Sequence, residues 1–396
     1  MPNLVFFLVL LFLLASYLRV DFFFTIIYLL AAVFILSRLW MVRAAANLAV
    51  ERRFVDRAFL GDEVQVELRV HNRGWLPVPW VLVHESLPVD LVSPPLLQKV
   101  LGLGPGEEQR LLYSLNCRRR GYYPLGPLQF STGDLLGIHE SRQRQIEAEY
   151  LIIYPRVLPL ERLGLPTQSP LVVLRAQSPL FEDPARIMGV RDYEVGDSPR
   201  RIHWTATASA GRLLVKQYEP AIARDTFICL DLGKDAYDPR HHFHATELAI
   251  VTAASIANHV IVREGLPVGL ATHAWDPLVE EHVRFSLPLH KGRGHLMSLL
   301  EVLARVERAK KESRPFGDLL RQESLRLPWG ATLVVISGRE DPALFETLAQ
   351  LRRSGFSVAL ILVQAPLISV PLQGRAELLN IPLYRVWSEE ELEVLS

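Results

Sequence analysis

Residues 1–18, MPNLVFFLVLLFLLASYL, carry no charged side chain, and after Arg19-Val20-Asp21 a second apolar run, FFFTIIYLLAAVFILS, covers 22–37. No soluble fold readily tolerates two such runs in tandem at one end. Crossing about 30 Å of hydrocarbon takes about 20 helical residues. The first run is slightly short for that. The second reaches the length if Arg38 snorkels to the interface, where Trp40 suits the headgroup level. A cleaved signal peptide would need a basic stretch ahead of its apolar core. No Lys or Arg precedes the first run, and a second run follows at once. The expectation is therefore a two-helix transmembrane hairpin over 1–43. Arg38, Arg43, Arg52, Arg53 and Arg57 all follow the second run, whereas the short loop between the runs sets Arg19 against Asp21. By the positive-inside rule the bulk of the chain faces the cytoplasm, as part of a multi-pass protein of the cell (inner) membrane.

The rest of the 396 residues exceeds one ordinary core and allows two or three domains. The 43 basic and 43 acidic residues cancel, which argues against a nucleic-acid binder. Two cysteines, Cys117 and Cys229, make neither a disulfide framework nor a metal cluster, and Cys229 sits in an apolar run.

Over 55–150 the pattern is that of strands. Val64, Val66, Leu68 and Val70 alternate with Gln65, Glu67 and Arg69, and further strands are predicted at 79–84, 109–117 and 126–131, with turns such as Gly104-Pro105-Gly106 between them. Short strands with regular breaks predict a small β-sandwich-like module. Residues 151–212 read as a connector, rich in proline up to Pro184. From 213 to 396, strands alternate with helices. Leu213–Tyr218 and Thr226–Leu232 read as paired strands. His244–Arg263 reads as a helix with Ala249, Ala253, Ile256 and Val260 on one stripe. Further helices are expected at His295–Val306, Phe316–Leu325 and Pro342–Ser354. Continuous apolar strands of the buried parallel type are expected at Ala331–Ser337 and Phe356–Val363. The fold class is thus α/β, with a doubly wound C-terminal domain. No G-x-G-x-x-G follows its first strand, so dinucleotide binding has no support.

One stretch exceeds what secondary structure demands: GVRDYEVGDSPRRIHWTATASAGRLLVKQYEP, residues 189–220. Ser198 and Pro199 suit a helix start, with the helix running through Arg200, Arg201, Ile202, His203 and Trp204, and Gly211 suits its stop. Arg191, Asp192, Tyr193, Gly196, Asp197, Arg200, Arg201 and Trp204 together can form an ion-pair network with an aromatic lid. That network reads first as a staple of the connector onto the α/β domain, and otherwise as a partner- or ligand-binding surface.

This signature resembles that of the bacterial domain of unknown function 58 family, through Arg191-Asp192-Tyr193, Gly196-Asp197, Arg200-Arg201-Ile202, Trp204 and Leu214-Val215-Lys216. A second element, Arg120-Gly121-Tyr122-Tyr123-Pro124-Leu125-Gly126-Pro127 with Asp134-Leu135-Leu136-Gly137, extends the resemblance over nearly the whole chain. His203 departs from it, because the family often has Asp before the Trp. The resemblance implies a membrane hairpin, a β-rich module and a von Willebrand factor type A-like domain. It also implies the company of a MoxR-type AAA+ ATPase and other membrane proteins.

Ion-binding von Willebrand factor A domains hold a divalent cation with Asp-x-Ser-x-Ser after the first strand and a Thr and an Asp from later loops. Here the first strand ends Asp231-Leu232-Gly233-Lys234-Asp235, the loop 291–295 lacks Thr, and Ser337 stands where Asp is expected. Lys234 and Arg293 add positive charge. The expectation is a degenerate site that needs no metal and no other cofactor. The alternative is a weak Mg²⁺ or Ca²⁺ site on Asp231, Asp235 and Ser337. His241, His242 and His244 read as a solvated helix start. No G-x-S-x-G, P-loop or H-E-x-x-H occurs. The functional expectation is a non-enzymatic, membrane-anchored scaffold or adaptor. A metal-dependent binding module and a membrane-bound hydrolase are its rivals.

Overall fold

The computed structural model describes residues 21–92, 96–133, 142–160, 182–193, 202–220, 225–311, 315–364 and 381–392, together with Phe6, Leu10, Phe12 and positions 374, 376, 378 and 379. The chain divides into two compact units, Met1–Pro155 and Arg156–Ser396.

The N-terminal unit begins with helix α1 (Asp21–Ala46). Its stretch Phe24–Ala46 is long and apolar enough to cross a membrane, and its most apolar part has a mean hydropathy of 2.1 and is almost entirely uncovered by protein. Phe22, Tyr28, Leu29 and Leu36 are exposed along it, an arrangement water does not favour over this length. The Phe12 ring meets Phe24 edge-on at 6.0 Å between centroids. The last turns differ: Met41, Ala44 and Ala45 are buried, so the helix end is part of the protein core.

Among the described residues ten strands follow: β1 (Leu48–Arg53), β2 (Arg57–Phe59), β3 (Glu63–Asn72), β4 (Val78–Ser86), β5 (Leu96–Leu103), β6 (Glu108–Asn116), β7 (Gly121–Leu125), β8 (Leu128–Thr132), β9 (Arg142–Ile146) and β10 (Glu149–Tyr154). They form sheets in the orders β1-β3-β6, β5-β4-β8-β9 and β2-β10-β7. The period-2 pattern of β3 works as read. Val64 and Val66 enter one core cluster with Leu115, Leu125 and Ile153, and Leu68 and Val70 enter another with Val81, Val83 and Phe130. Residues 151–154, expected in the connector, are instead strand. Leu151, Ile152, Ile153 and Tyr154 are all buried, and that burial outweighs the nearby prolines. Arg52 and Glu85 form an enclosed charged pair in this unit. Arg52 Nε lies 2.8 Å from Glu85 Oε1, Arg52 Nη1 donates to the Leu125 carbonyl, and the Tyr113 hydroxyl donates to Glu85 Oε2 at 2.8 Å.

In the C-terminal unit β11 (Glu182–Asp192) and β12 (Leu214–Pro220) pair antiparallel, joined through helix α2 (Trp204–Ala210). This corrects the expected pairing of Leu213–Tyr218 with Thr226–Leu232: the partner lies in the stretch read as connector. The remaining strands are β13 (Thr226–Leu230), β14 (Val268–Asp276), β15 (Glu281–His290), β16 (Thr332–Ser337), β17 (Ser357–Val363) and β18 (Leu383–Val386). They make one sheet, ordered β15-β14-β13-β16-β17-β18, parallel except for edge strand β15. Helix α3 (His242–Asn258), continued by a π-helical turn at His259–Arg263, connects β13 to β14. Helices α4 (Arg293–Arg305), α5 (Phe316–Ser324), α6 (Pro342–Arg353) and the short α7 (Glu389–Leu392) complete it. Phe227 and Cys229 cluster with Leu319 and Leu320 of α5 and with Phe345 and Leu348 of α6. Ile228 and Leu230, both 0% exposed, point to the opposite face, so helices cover both sides of the sheet. Helix α3 is also long and apolar enough to span a membrane, but 78% of it is buried, and it is the core helix of this unit.

Candidate functional site

The strand order reverses direction at β13, whose neighbours β14 and β16 lie on opposite sides. In open, mainly parallel sheets, the crevice beyond the strand ends at such a switch point is where ligands bind. Asp231 follows β13 directly and Ser337 ends β16, so the topology brings together two residues 106 positions apart.

Asp231 is 2% exposed. Its Oδ1 accepts the Gly233 backbone N–H at 3.0 Å, and its Oδ2 accepts the Ser337 hydroxyl at 2.9 Å. The Ser337 oxygen in turn accepts the Arg339 N–H at 3.1 Å. The Arg339 guanidinium lies on the same carboxylate, with Nε 3.6 Å from Oδ2. Burial pushes the Asp231 carboxyl above the usual carboxylate range, opposed by Arg339, Gly233 N–H and Ser337. Two glycines permit the arrangement. A Cβ at Gly233 would sit 2.9 Å from Arg339 Nη2, and one at Gly338 would sit 2.4 Å from the Tyr237 ring and 2.7 Å from the Ala236 carbonyl. Tyr237 also donates its hydroxyl to the Asp231 carbonyl oxygen at 2.8 Å, tying the first loop back on itself.

Two small clefts flank Asp231. One, of about 90 Å³, is lined by Gly233, His273, Arg284, Phe316 and Gln322. The other, of about 100 Å³, is lined by Arg321, Arg339, Asp341 and Thr347. Their charges are engaged within the protein. Arg284 pairs with buried Glu323, Arg321 pairs with Asp318 at 2.8 Å, and Asp341 caps α6 by accepting the Ala343 N–H at 2.9 Å.

Of the three candidate metal ligands, Asp231 and Ser337 therefore touch, whereas Asp235 lies exposed in the turn after β13. Among the described residues no group of three or more His, Cys, Asp or Glu is placed to hold a metal ion. The cation on Asp231 is Arg339, a residue the sequence reading did not single out. Lys234 is exposed, with its backbone carbonyl bonded to Arg308, and Arg293 opens α4. His241 and His242 stand at the start of α3, where the His242 ring meets the Pro239 carbonyl at 2.8 Å. Cys229 is fully enclosed, and burial pushes the thiols of both cysteines up, Cys117 to about 11. That is the reverse of what a nucleophile needs.

The signature is partly visible. Arg191 pairs across to Val215 and Asp192 to Leu214, and the Tyr193 N–H bonds to the Leu213 carbonyl at 3.0 Å. The Asp192 carboxylate meets Arg212 at 3.2 Å. Ile202 forms a bridge to Val215 and is not helical; the helix starts two residues later, at Trp204, which is 66% exposed. His203 is its N-cap, with Nδ1 accepting the Ala206 N–H at 3.1 Å, a service that the Asp expected there also performs. Gly211, at φ 65°, closes the helix as read. Gly196, Asp197, Ser198, Pro199, Arg200 and Arg201 lie outside the described residues, as does Asp134–Gly137.

Comparison with known proteins agrees with the signature. Over 296 residues the chain is 22% identical to "Uncharacterized protein YeaD" of Bacillus subtilis (strain 168), covering 70% of this chain and 67% of that protein. Among solved structures, the CARDB domain of the PF1109 protein from Pyrococcus furiosus is similar at 20% identity. That match covers 25% of this chain and 90% of that one, at a TM-score of 0.18. A β-glucosidase from Listeria innocua is similar at 12% identity, covering 25% of this chain and 16% of that one, at a TM-score of 0.15. Likenesses of that size carry no argument about function. Residues 189–380 match the model of the family described as "Protein of unknown function DUF58", and with the YeaD likeness this match supports the DUF58 family for the chain.

Proposed function

We propose that the protein is a membrane-anchored, non-enzymatic scaffold or adaptor that works with a MoxR-type AAA+ ATPase in the assembly or maturation of membrane or envelope complexes. The observation that supports the metal-independent part is the Arg339 guanidinium on Asp231; the non-enzymatic part rests on the sequence, which has no G-x-S-x-G, P-loop or H-E-x-x-H. A protein cation stands where an ion-binding von Willebrand factor A domain would hold its metal, and Ser337 takes up the second carboxylate oxygen. The von Willebrand factor type A-like reading of the C-terminal unit comes from the family resemblance, and a mainly parallel sheet with one antiparallel edge strand and helices on both faces is compatible with it. The anchor is a two-helix hairpin. In this reading its second arm is α1, the Phe12–Phe24 contact supports an adjacent first arm, and the positive-inside rule applied to Arg38 and Arg43 favours the cytoplasmic side for the soluble parts. The partner class comes from the family resemblance alone.

The test is a detergent pull-down of the full-length protein from its native membranes, with and without ATP, read by mass spectrometry. A nucleotide-sensitive AAA+ ATPase in the eluate is the expected result, and an eluate without one defeats the adaptor reading. The rival metal-dependent module is addressed by calorimetry. Heat of Mg²⁺ or Ca²⁺ binding that disappears in Asp231→Asn would put a metal back at the site.

A further inference from the structure

The loop between β3 and β4, residues 73–77, carries Trp75 with 74% of its surface exposed. The loop is nevertheless firmly held. The buried Asn72 side chain donates to the Leu76 carbonyl at 2.8 Å and to the Gly104 carbonyl at 2.9 Å, and Leu76 is itself buried. The Arg73 N–H bonds to the Asn47 carbonyl at 2.9 Å, and the Asn47 side chain donates to the Arg43 carbonyl at 2.9 Å. The Trp40 indole N–H donates to the Pro77 carbonyl at 3.0 Å. The Asn47 and Trp40 bonds tie the loop to the end of α1, and the Asn72 bonds hold it to itself and to the turn between β5 and β6.

They also fix a level along the helix. Met41, Ala44 and Ala45 are covered by protein, so the part of α1 free to meet lipid ends near Trp40. From Phe22 to Trp40, at about 1.5 Å per residue, the helix covers about 27 Å, close to the thickness of the hydrocarbon layer. Because Pro77 reaches back to the Trp40 side chain, the loop stands beside the helix at its exit from that layer. Exposed Arg38 and Arg43 mark the same level. Arg73 is exposed there too, and its charge is shared with Glu51 at 3.5 Å. The local charge is therefore mixed, and the feature in excess is the indole. A ring with one apolar body and one N–H donor suits the headgroup boundary better than water.

We propose that Trp75 is a second contact with the bilayer: the β3–β4 loop seats its indole among the headgroups of the leaflet from which α1 emerges. The occupant is the lipid interface itself, whatever its charge. The proposal rests on the reading of α1 as a membrane anchor. With two contacts on different elements, the N-terminal unit cannot roll freely about the helix axis.

The experiment uses the full-length chain reconstituted into phosphatidylcholine vesicles, and compares tryptophan fluorescence with that in matched vesicles of brominated lipid. Trp75→Phe and Trp40→Phe are measured beside the wild type. Each variant is expected to lose a comparable share of the bromine quenching, about half where these two indoles dominate the interface. If Trp40→Phe loses quenching and Trp75→Phe does not, the anchor stands and the loop contact is overturned. If the wild-type chain does not float with the vesicles, the anchor reading fails and the loop contact fails with it.

Discussion

At the scale of single residues, the switch point depends on one arginine. Asp231 is buried with the Gly233 N–H and the Ser337 hydroxyl on its two oxygens, and Arg339 supplies the only cation that the structure places on it among the described residues. Removing one member of a buried ion pair leaves an uncompensated charge. The Arg339 side chain is about one-third exposed, so the full penalty of an enclosed pair is discounted. Arg339→Ala is expected to destabilise the C-terminal unit by about 1–3 kcal/mol at neutral pH. The pH dependence has a definite sign. The folded state holds the Asp231 proton more tightly than the unfolded chain does, so this group's contribution falls as pH rises from the ordinary carboxylate range through the raised value. Without Arg339 the carboxyl rises further. The deficit of Arg339→Ala should therefore widen as pH rises above the ordinary carboxylate range, read as the difference in urea midpoints from wild type. A constant deficit would mean that the guanidinium contributes packing and not charge. Sequence reasoning missed Arg339 because it looked at this loop for a ligand and found Ser337 instead. An arginine two residues past a strand has no signature, and only the sheet topology puts it over Asp231.

At the scale of elements, legibility follows how local the determining contacts are. The alternation of β3 was readable because one strand states its own two faces: Val64, Val66, Leu68 and Val70 are all buried. The helix through Ala249, Ala253, Ile256 and Val260 was readable from its apolar stripe, whereas the four-residue helix Glu389–Leu392 was not. Strand β15 was less plain: Val283, Phe285, Leu287 and Leu289 do alternate with His282, Arg284, Ser286 and Pro288, but a proline inside the run argues against a central strand, and only an edge position accommodates it. The β11–β12 pairing was also hidden. A strand's partner is chosen by tertiary geometry, and β11 lies beyond a run of prolines. Two elements give sharp tests. The Arg52–Glu85 pair joins β1 to β4 with both side chains fully enclosed. Burial pushes Glu85 up, while Tyr113 and Arg52 oppose it. Arg52→Met should cost about 3–5 kcal/mol, whereas the double replacement Arg52→Met with Glu85→Leu should recover much of that loss. Chemical denaturation of the two variants decides between a pair that stabilises and one that merely must not be broken. In α3, Ala249, Ala253 and Ala254 are 0% exposed. That helix passes a membrane-span test on composition because its small apolar residues allow close packing, not because it meets lipid. Ala253→Leu should overpack it and lower stability by about 1–3 kcal/mol, measured as a fall in the urea midpoint.

For the whole molecule, the question is which part of the chain requires a membrane. Among the described residues the exposed candidate span is α1, and its end is not separable from the protein that follows. Met41, Ala44, Ala45 and Leu48 are buried, and Ala44 and Leu48 share a core cluster with Val70, Val81 and Phe130. Apolar exposure along α1 is concentrated before Trp40, at Phe22, Tyr28, Leu29, Ile35 and Leu36. A truncation beginning at Ala44 removes that exposed surface and Met41 but keeps Ala44, Ala45 and Leu48. It is expected to leave the membrane fraction, remain soluble without detergent, and unfold cooperatively. A truncation beginning at Ala49 also deletes Leu48, which is 4% exposed, together with Ala44 and Ala45. Loss of one large buried side chain and its neighbours is worth about 2–5 kcal/mol, so this shorter chain should show a clearly lower urea midpoint in the N-terminal unit than the first. The Arg156–Ser396 unit has its own sheet and core, and its transition should be the same in both truncations. If the chain from Ala44 stayed with the membrane after alkaline washing, attachment would lie outside α1, and the single-anchor geometry that places Trp75 at the bilayer would have to be abandoned.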